Sequence, residues 1–127
     1  MNIVGLNPTL YTINMIKFLY KICTKSEWSS FKKEKFFYGT KKDLLDGYIH
    51  FSKKGQIKKT LKKHYFKKKN LNLVKVEWLK LKNLKWEKSK EGKLFPHLYS
   101  FLNLKDVTKT YKIFLKKNGS HSIGSEL

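Results

Sequence analysis

From Leu71 to Trp78 the chain reads "LNLVKVEW", and its side chains sort by a period of two: Val74, Val76 and Trp78 to one side, Leu73, Lys75 and Glu77 to the other. Only an extended strand separates residues in that way. Upstream the period is different. In "QIKKTLKKHY", Ile57, Leu61, His64 and Tyr65 recur at helical spacing, while Lys58, Lys59, Lys62 and Lys63 fall on the opposite side. A chain that changes from helical to strand period halfway along is expected to be α+β.

The remaining elements follow from local signals. "IKFLYKIC", Ile16 to Cys23, is rich in β-formers and predicts a first strand. Thr24 and Glu27 stand at capping-box spacing and predict a helix running to Glu34, with Trp28 and Phe31 as its apolar pair. "FFYG" is a short extended piece, and "TKKDLLDG" a helical turn ended by Gly47. "YIHFS" predicts a strand, with Ser52 capping the helix after it. "LKWEKS" and "TKTYKIFL" predict two more strands. Between them "LFPHLYSFL" contains Pro96, which predicts an edge or irregular segment. The result is five or six strands with two helices in the first half.

Length bounds this to one domain. Residues 1–16 are expected to be an N-terminal extension, 17–115 the domain, and 116–127, "KKNGSHSIGSEL" from its first lysine, a disordered tail. No stretch reaches a membrane span, and residues 1–16 lack the basic start of a signal peptide, so a cytoplasmic protein is expected. Cys23 is the single cysteine, which leaves no internal disulfide and no CxxC half-site for zinc.

The formal net charge of +20 points toward polyanions, and non-specific nucleic-acid binding is one expectation. All 29 basic residues are lysine, however, and they are spread over almost every segment. Arginine, whose planar fork reads guanine and grips phosphate, is absent. The abundance of Lys, Asn, Ile, Phe and Tyr fits AT-rich coding. The alternative to a ligand-binding function is therefore a non-catalytic lysine-rich binder, or a structural and interaction module.

Two segments carry the candidate chemistry. In "YIHFS", Tyr48, His50 and Ser52 share a strand face; in "FPHLY", Phe95, His97 and Tyr99 do. Aromatic walls with a few directional polar groups are what a ligand pocket requires. Each histidine alone also fits a role bracing a strand end through a backbone hydrogen bond. Glu87, following Trp86, suits a general base or a group that stabilises developing positive charge, or else a solvated acid among Lys85, Lys88 and Lys90. His64 is expected in the core and His121 in the tail. Cys23 fits a small buried hydrophobe better than a nucleophile. No spacing matches a metal-ligand pattern, and no metal is expected.

The ordered series "FLYKICTKSEW", "DLLDGYIHFS", Gln56, "KWEKS" and "LFPHLYSFL" resembles the domain-of-unknown-function 952 family of small bacterial proteins over residues 17–115. The resemblance implies an ADP-ribosyltransferase-like fold, a split and curved antiparallel sheet with a cleft between its halves. It further implies NAD or a related nucleotide as ligand. Glu87 would stabilise the cation formed as nicotinamide leaves, His50 and Lys21 would position ribose and phosphates, and Tyr99 would stack on a ring. His97 would join Glu87 and His50 as a catalytic residue, and Ser52, with Tyr48 from the strand face, would bind the ligand. The chain departs from the family pattern at Lys21, where many members carry histidine, at Lys88 in place of a common proline, and at Ser100 in place of glycine.

Overall fold

In a computed structural model of the protein, residues 13, 15–124 and 127 are described. All but three residues of the expected N-terminal extension lie outside them. The first strand, β1 (Phe18–Thr24), leads into helix α1 (Lys25–Glu34) through the capping box: Glu27 N–H donates to Thr24 Oγ1, and Thr24 N–H to Glu27 Oε1. Strand β2 (Phe36–Phe37) and helix α2 (Lys41–Asp46) follow, and α2 ends on Gly47 at φ 87°. Next come β3 (Ile49–His50), a 3-10 turn over Lys54–Gln56, and helix α3 (Ile57–His64). The second half is β4 (Leu71–Glu77), β5 (Leu84–Lys88), β6 (Leu94–Leu98), β7 (Leu102–Asn103), β8 (Val107–Leu115) and β9 (His121–Ile123).

Every ladder is antiparallel. The strands form a four-stranded sheet β1-β4-β8-β9, a three-stranded sheet β3-β6-β5 and a small pair β2-β7. Tyr20 and Ser52 exchange backbone hydrogen bonds of 2.9 and 2.8 Å, which tie the end of the β3 segment to the edge of the large sheet. The sheets thus join as one curled surface, and the α+β expectation holds.

Alternation along β1 and β4 places apolar side chains on both faces of the large sheet. Leu19, Cys23, Val74 and Val76 pack with Phe31, Ile49, Phe51 and Leu98. Tyr20, Ile22, Leu71 and Leu73 pack on the other face with Ile57 and Leu61 of α3. Lys21 lies in β1 between Leu19 and Cys23, so the pleat turns a lysine toward the first core. That position is tolerable only if its ammonium is paired.

Five expectations change. The first half holds three helices and the described residues nine strands, where two helices and five or six strands were expected, because several strands are only two or three residues long. Strand β6 is central, with Pro96 opposite Trp86 in β5. The Pro96 carbonyl accepts from Phe51 N–H, so the proline nitrogen faces the same side, just past the end of two-residue β3. The missing donor costs no rung of the β5 ladder. Ser52 caps no helix: its Oγ lies 3.4 Å from Thr60 Oγ1, and Lys53 N–H donates to Gln56 Oε1 at the turn instead. His64 is exposed on α3 rather than in the core. The tail is ordered through β9, which pairs with β8, and His121 Nε2 lies 2.7 Å from the Lys68 carbonyl.

Candidate functional site

Strands β3 and β6 set His50 directly opposite His97 in the ladder. Directly opposed residues share a face and bring their side chains together. The imidazole centroids are 5.3 Å apart at 69°. Tyr48 closes the group: its ring stacks on His97 at 4.0 Å and 21°, and lies 4.6 Å from His50 and 5.3 Å from Tyr99. The two triplets expected from strand period therefore meet, apart from Ser52, which faces α3, and Phe95, which lies opposite Glu87 in the ladder and outside the ring contacts described.

Each imidazole has its own carboxylate. His97 Nδ1 lies 2.8 Å from Glu87 Oε1, and the same oxygen accepts the Tyr99 hydroxyl at 2.6 Å. Glu87 sits two rungs along β5 from Lys85, which is His97's ladder partner. The hydrogen bonds from Tyr99 and then His97 hold its carboxyl below the usual range, so Glu87 is ionised at neutral pH. The same bond pushes the Tyr99 phenol up to about 12. Burial lowers the His97 pKa further than Glu87 raises it, and His50 adds to the lowering. Near neutral pH His97 is therefore uncharged. Its proton sits on Nδ1 toward the carboxylate, and Nε2 keeps a lone pair. Among the described residues nothing hydrogen-bonds His97 Nε2 or Glu87 Oε2.

Behind His50 stands Asp43, a residue the sequence reading passed over. Thr40 and Asp43 form the capping box of α2: Thr40 N–H donates to Asp43 Oδ2 at 2.8 Å, and Asp43 N–H to Thr40 Oγ1 at 3.2 Å. The carboxylate also takes the Lys21 ammonium at 2.7 Å and the backbone N–H of His50 at 3.2 Å, and lies 2.6 Å from His50 Nδ1. Its side chain is 2% exposed and that of Lys21 5%. Burial opposes ionisation of Asp43, but the His50 bond and the Lys21 ammonium outweigh it and hold its pKa well below the carboxylate range. His50 Nε2 lies 3.1 Å from Asp46 Oδ2, so the ring is held between two acids of one helix.

Lys21 is consequently not a phosphate-binding group. It is buried, and its charge is spent on Asp43; it acts on the cluster from behind. The Cys23 thiol, buried next along the same face of β1, is pushed up to about 12 by burial and is no nucleophile. No group of three His, Cys, Asp or Glu side chains among the described residues is arranged to hold a metal ion. No helix of the described residues is long and apolar enough to cross a membrane.

What the sequence missed was legible in part. "TKKD" has the capping-box spacing that marked "TKSE", so Asp43 could have been fixed at the start of α2. Nothing in the sequence says that the same carboxylate would be buried against β1 and β3. That follows from the Tyr20–Ser52 bridge, which draws Lys21 and His50 together.

The geometry can be set beside known proteins. The family model described as "Protein of unknown function (DUF952)" matches residues 22–110. The crystal structure of protein CC0527 from Caulobacter crescentus is similar at 38% identity and a TM-score of 0.79, covering 83% of this chain and 93% of that one. The solution NMR structure of CC0527 is similar at 38% identity and a TM-score of 0.74, covering 81% and 90%. No curated protein matches. The matched span contains the cluster from Asp43 to Tyr99, and the chain belongs to the DUF952 family.

Proposed function

We propose that the His50–His97 cluster binds a nucleotide-like ligand, NAD or a close relative, and supports transfer of its ADP-ribosyl group within an ADP-ribosyltransferase-like fold. One observation carries the reading. Two imidazoles and a tyrosine ring converge from paired strands, and each imidazole is oriented by a separate carboxylate, with His97 Nε2 and Glu87 Oε2 left for a ligand. His50 spends both nitrogens on the protein, Nδ1 on Asp43 and Nε2 on Asp46, so it is His97 that keeps a ring nitrogen for a ligand.

The residues fit such a ligand. Tyr48 and Tyr99 offer aromatic surface for stacking. Glu87 is an ionised acceptor able to take a ribose hydroxyl. His50, tethered to Asp43, offers a rigid edge beside it. Lys85, whose ammonium lies 4.8 Å from the Tyr99 ring centre, stands where phosphate charge can be met, a part that burial denies Lys21. NAD supplies a glycosidic bond whose breakage releases nicotinamide and leaves positive charge on the ribose. Against that charge the ionised Glu87, anchored by His97 and Tyr99, is the anion that acts, and its effect is electrostatic. His97 Nε2 is the base that takes the proton of the attacking acceptor.

The test is nicotinamide release and a melting-temperature shift at millimolar NAD, since a ligand bound only by the folded state raises apparent stability. Wild type should show both, and Glu87→Gln should keep the shift while losing release. Absence of any shift, or an unaltered rate in Glu87→Gln, contradicts the proposal.

A further inference from the structure

A hollow of about 310 Å³ opens beside the cluster, at the ends of β3 and β6. Tyr38, Leu44, Tyr48, Tyr99 and Phe101 line it, together with Asp43 at its base. Neither imidazole borders it. Tyr48, Tyr99 and Asp43 belong to both, so the hollow and the cluster are adjoining compartments.

The walls are unusual for this surface. Lysine covers most of the molecule, yet no basic side chain lines the hollow. Tyr38 is 62% exposed, Leu44 65% and Phe101 48%. Phe101 is propped edge-on by Phe36 at 5.4 Å and tilted against Tyr38 at 5.7 Å. Exposed aromatic and aliphatic groups gathered around a concavity mark a binding surface rather than scattered apolar residues. The volume lies at the lower end of small-molecule sites, which run from roughly 300 to 1,000 Å³.

We infer that this hollow is the seat for an uncharged heteroaromatic ring of purine size, belonging to the same ligand whose sugar and phosphate meet the histidines. The inference rests on the nucleotide reading above and specifies where the base goes. The division of labour follows from the linings: the aromatic and aliphatic walls hold the ring, and the histidine–carboxylate cluster, with Lys85 over the shared Tyr99 ring, holds the polar part. Stacking of a base on aromatic side chains does not depend on which base it is. The seat therefore favours nucleotides as a class over sugar phosphates.

Calorimetric titration of the full-length chain with AMP and with ribose 5-phosphate tests this, in wild type, in Tyr38→Ala/Phe101→Ala and in His97→Ala. Both substitutions in the double variant are at exposed positions, and circular dichroism will confirm its fold. Wild type should bind AMP about tenfold or more tightly than ribose 5-phosphate, in line with the worth of one stacked base. The double variant should bring the two ligands to within about threefold, and His97→Ala should weaken both alike. Equal affinities in wild type, or an AMP preference that survives the double variant, would overturn the ring seat while leaving the nucleotide site standing. Binding that ignores His97→Ala would overturn the nucleotide site, and the ring seat with it. Lack of binding by either ligand would overturn both. Concentration-dependent self-association that the double variant abolishes, with its AMP preference intact, would assign the face to a second copy and overturn the ring seat.

Discussion

Asp43 is the residue on which the cluster's geometry turns, because one buried carboxylate answers Lys21, His50 and the start of α2 together. Removing one partner of a buried ion pair leaves the other charge uncompensated, which costs about 3–5 kcal/mol. Asp43→Asn should therefore lower unfolding free energy by roughly 3 kcal/mol in urea, at the lower end because the amide oxygen still accepts. The sign with pH is fixed. Burial raises the Asp43 pKa, but its His50 and Lys21 partners lower it more, so the folded value is below the unfolded one. Its contribution is whole above about pH 4, the unfolded carboxylate value, and is lost as pH falls through the folded value. The gap between wild type and Asp43→Asn should narrow in acid; a constant gap would contradict the pairing. At the other imidazole, Glu87→Gln removes the anion that holds the Tyr99 proton and supports charge on His97. Spectroscopic titration should show one phenol moving down from about 12, and NMR should show His97 titrating at still lower pH. Unchanged curves would mean that Glu87 does not hold either group.

Among the elements, short α2 has the largest effect on the site for its size. Its capping box fixes Asp43, and the preceding Gly39 makes room: at φ 123° a Cβ there would sit 2.7 Å from Asp43 Cβ. Gly39→Ala should cost about 2 kcal/mol or more from backbone strain and crowding, whereas Gly55→Ala, with open space around it, should be near neutral. Thermal denaturation of the two variants decides this, and equal melting temperatures would contradict it. The same scale explains what sequence could disclose. The β4 alternation, the α1 cap and the His50 and His97 faces were legible because each is a short-range pattern. Pro96 misled because a proline forbids one hydrogen bond on one side of a strand, and the sequence does not say which side faces a neighbour. Strand β9 was hidden by its polar, glycine-flanked residues, which show no apolar alternation; its order comes from β8 and the Lys68 carbonyl. Burial of Asp43 and Lys21 was illegible because it depends on a bridge between segments far apart in the chain.

For the whole molecule, the charge of +20 and the pair of imidazoles make opposing demands on any ligand experiment. Lysines spread over the surface attract any polyanion through counterion release, and that attraction falls steeply with salt. A ligand held by hydrogen bonds and stacking at one cluster keeps most of its affinity when salt is raised. The curled sheet brings β3 and β6 together once, so a specific ligand must report at that place and nowhere else. The four histidines make this measurable, since His64 lies exposed on α3 and His121 is tied to the Lys68 carbonyl, and neither ring stacks on the cluster. The most direct measurement is an NMR titration of the histidine side chains with NAD at high salt. The account predicts that the His50 and His97 signals move together along one saturating curve while His64 and His121 stay fixed; signals that all remain still, or all four drifting without saturation, would contradict it.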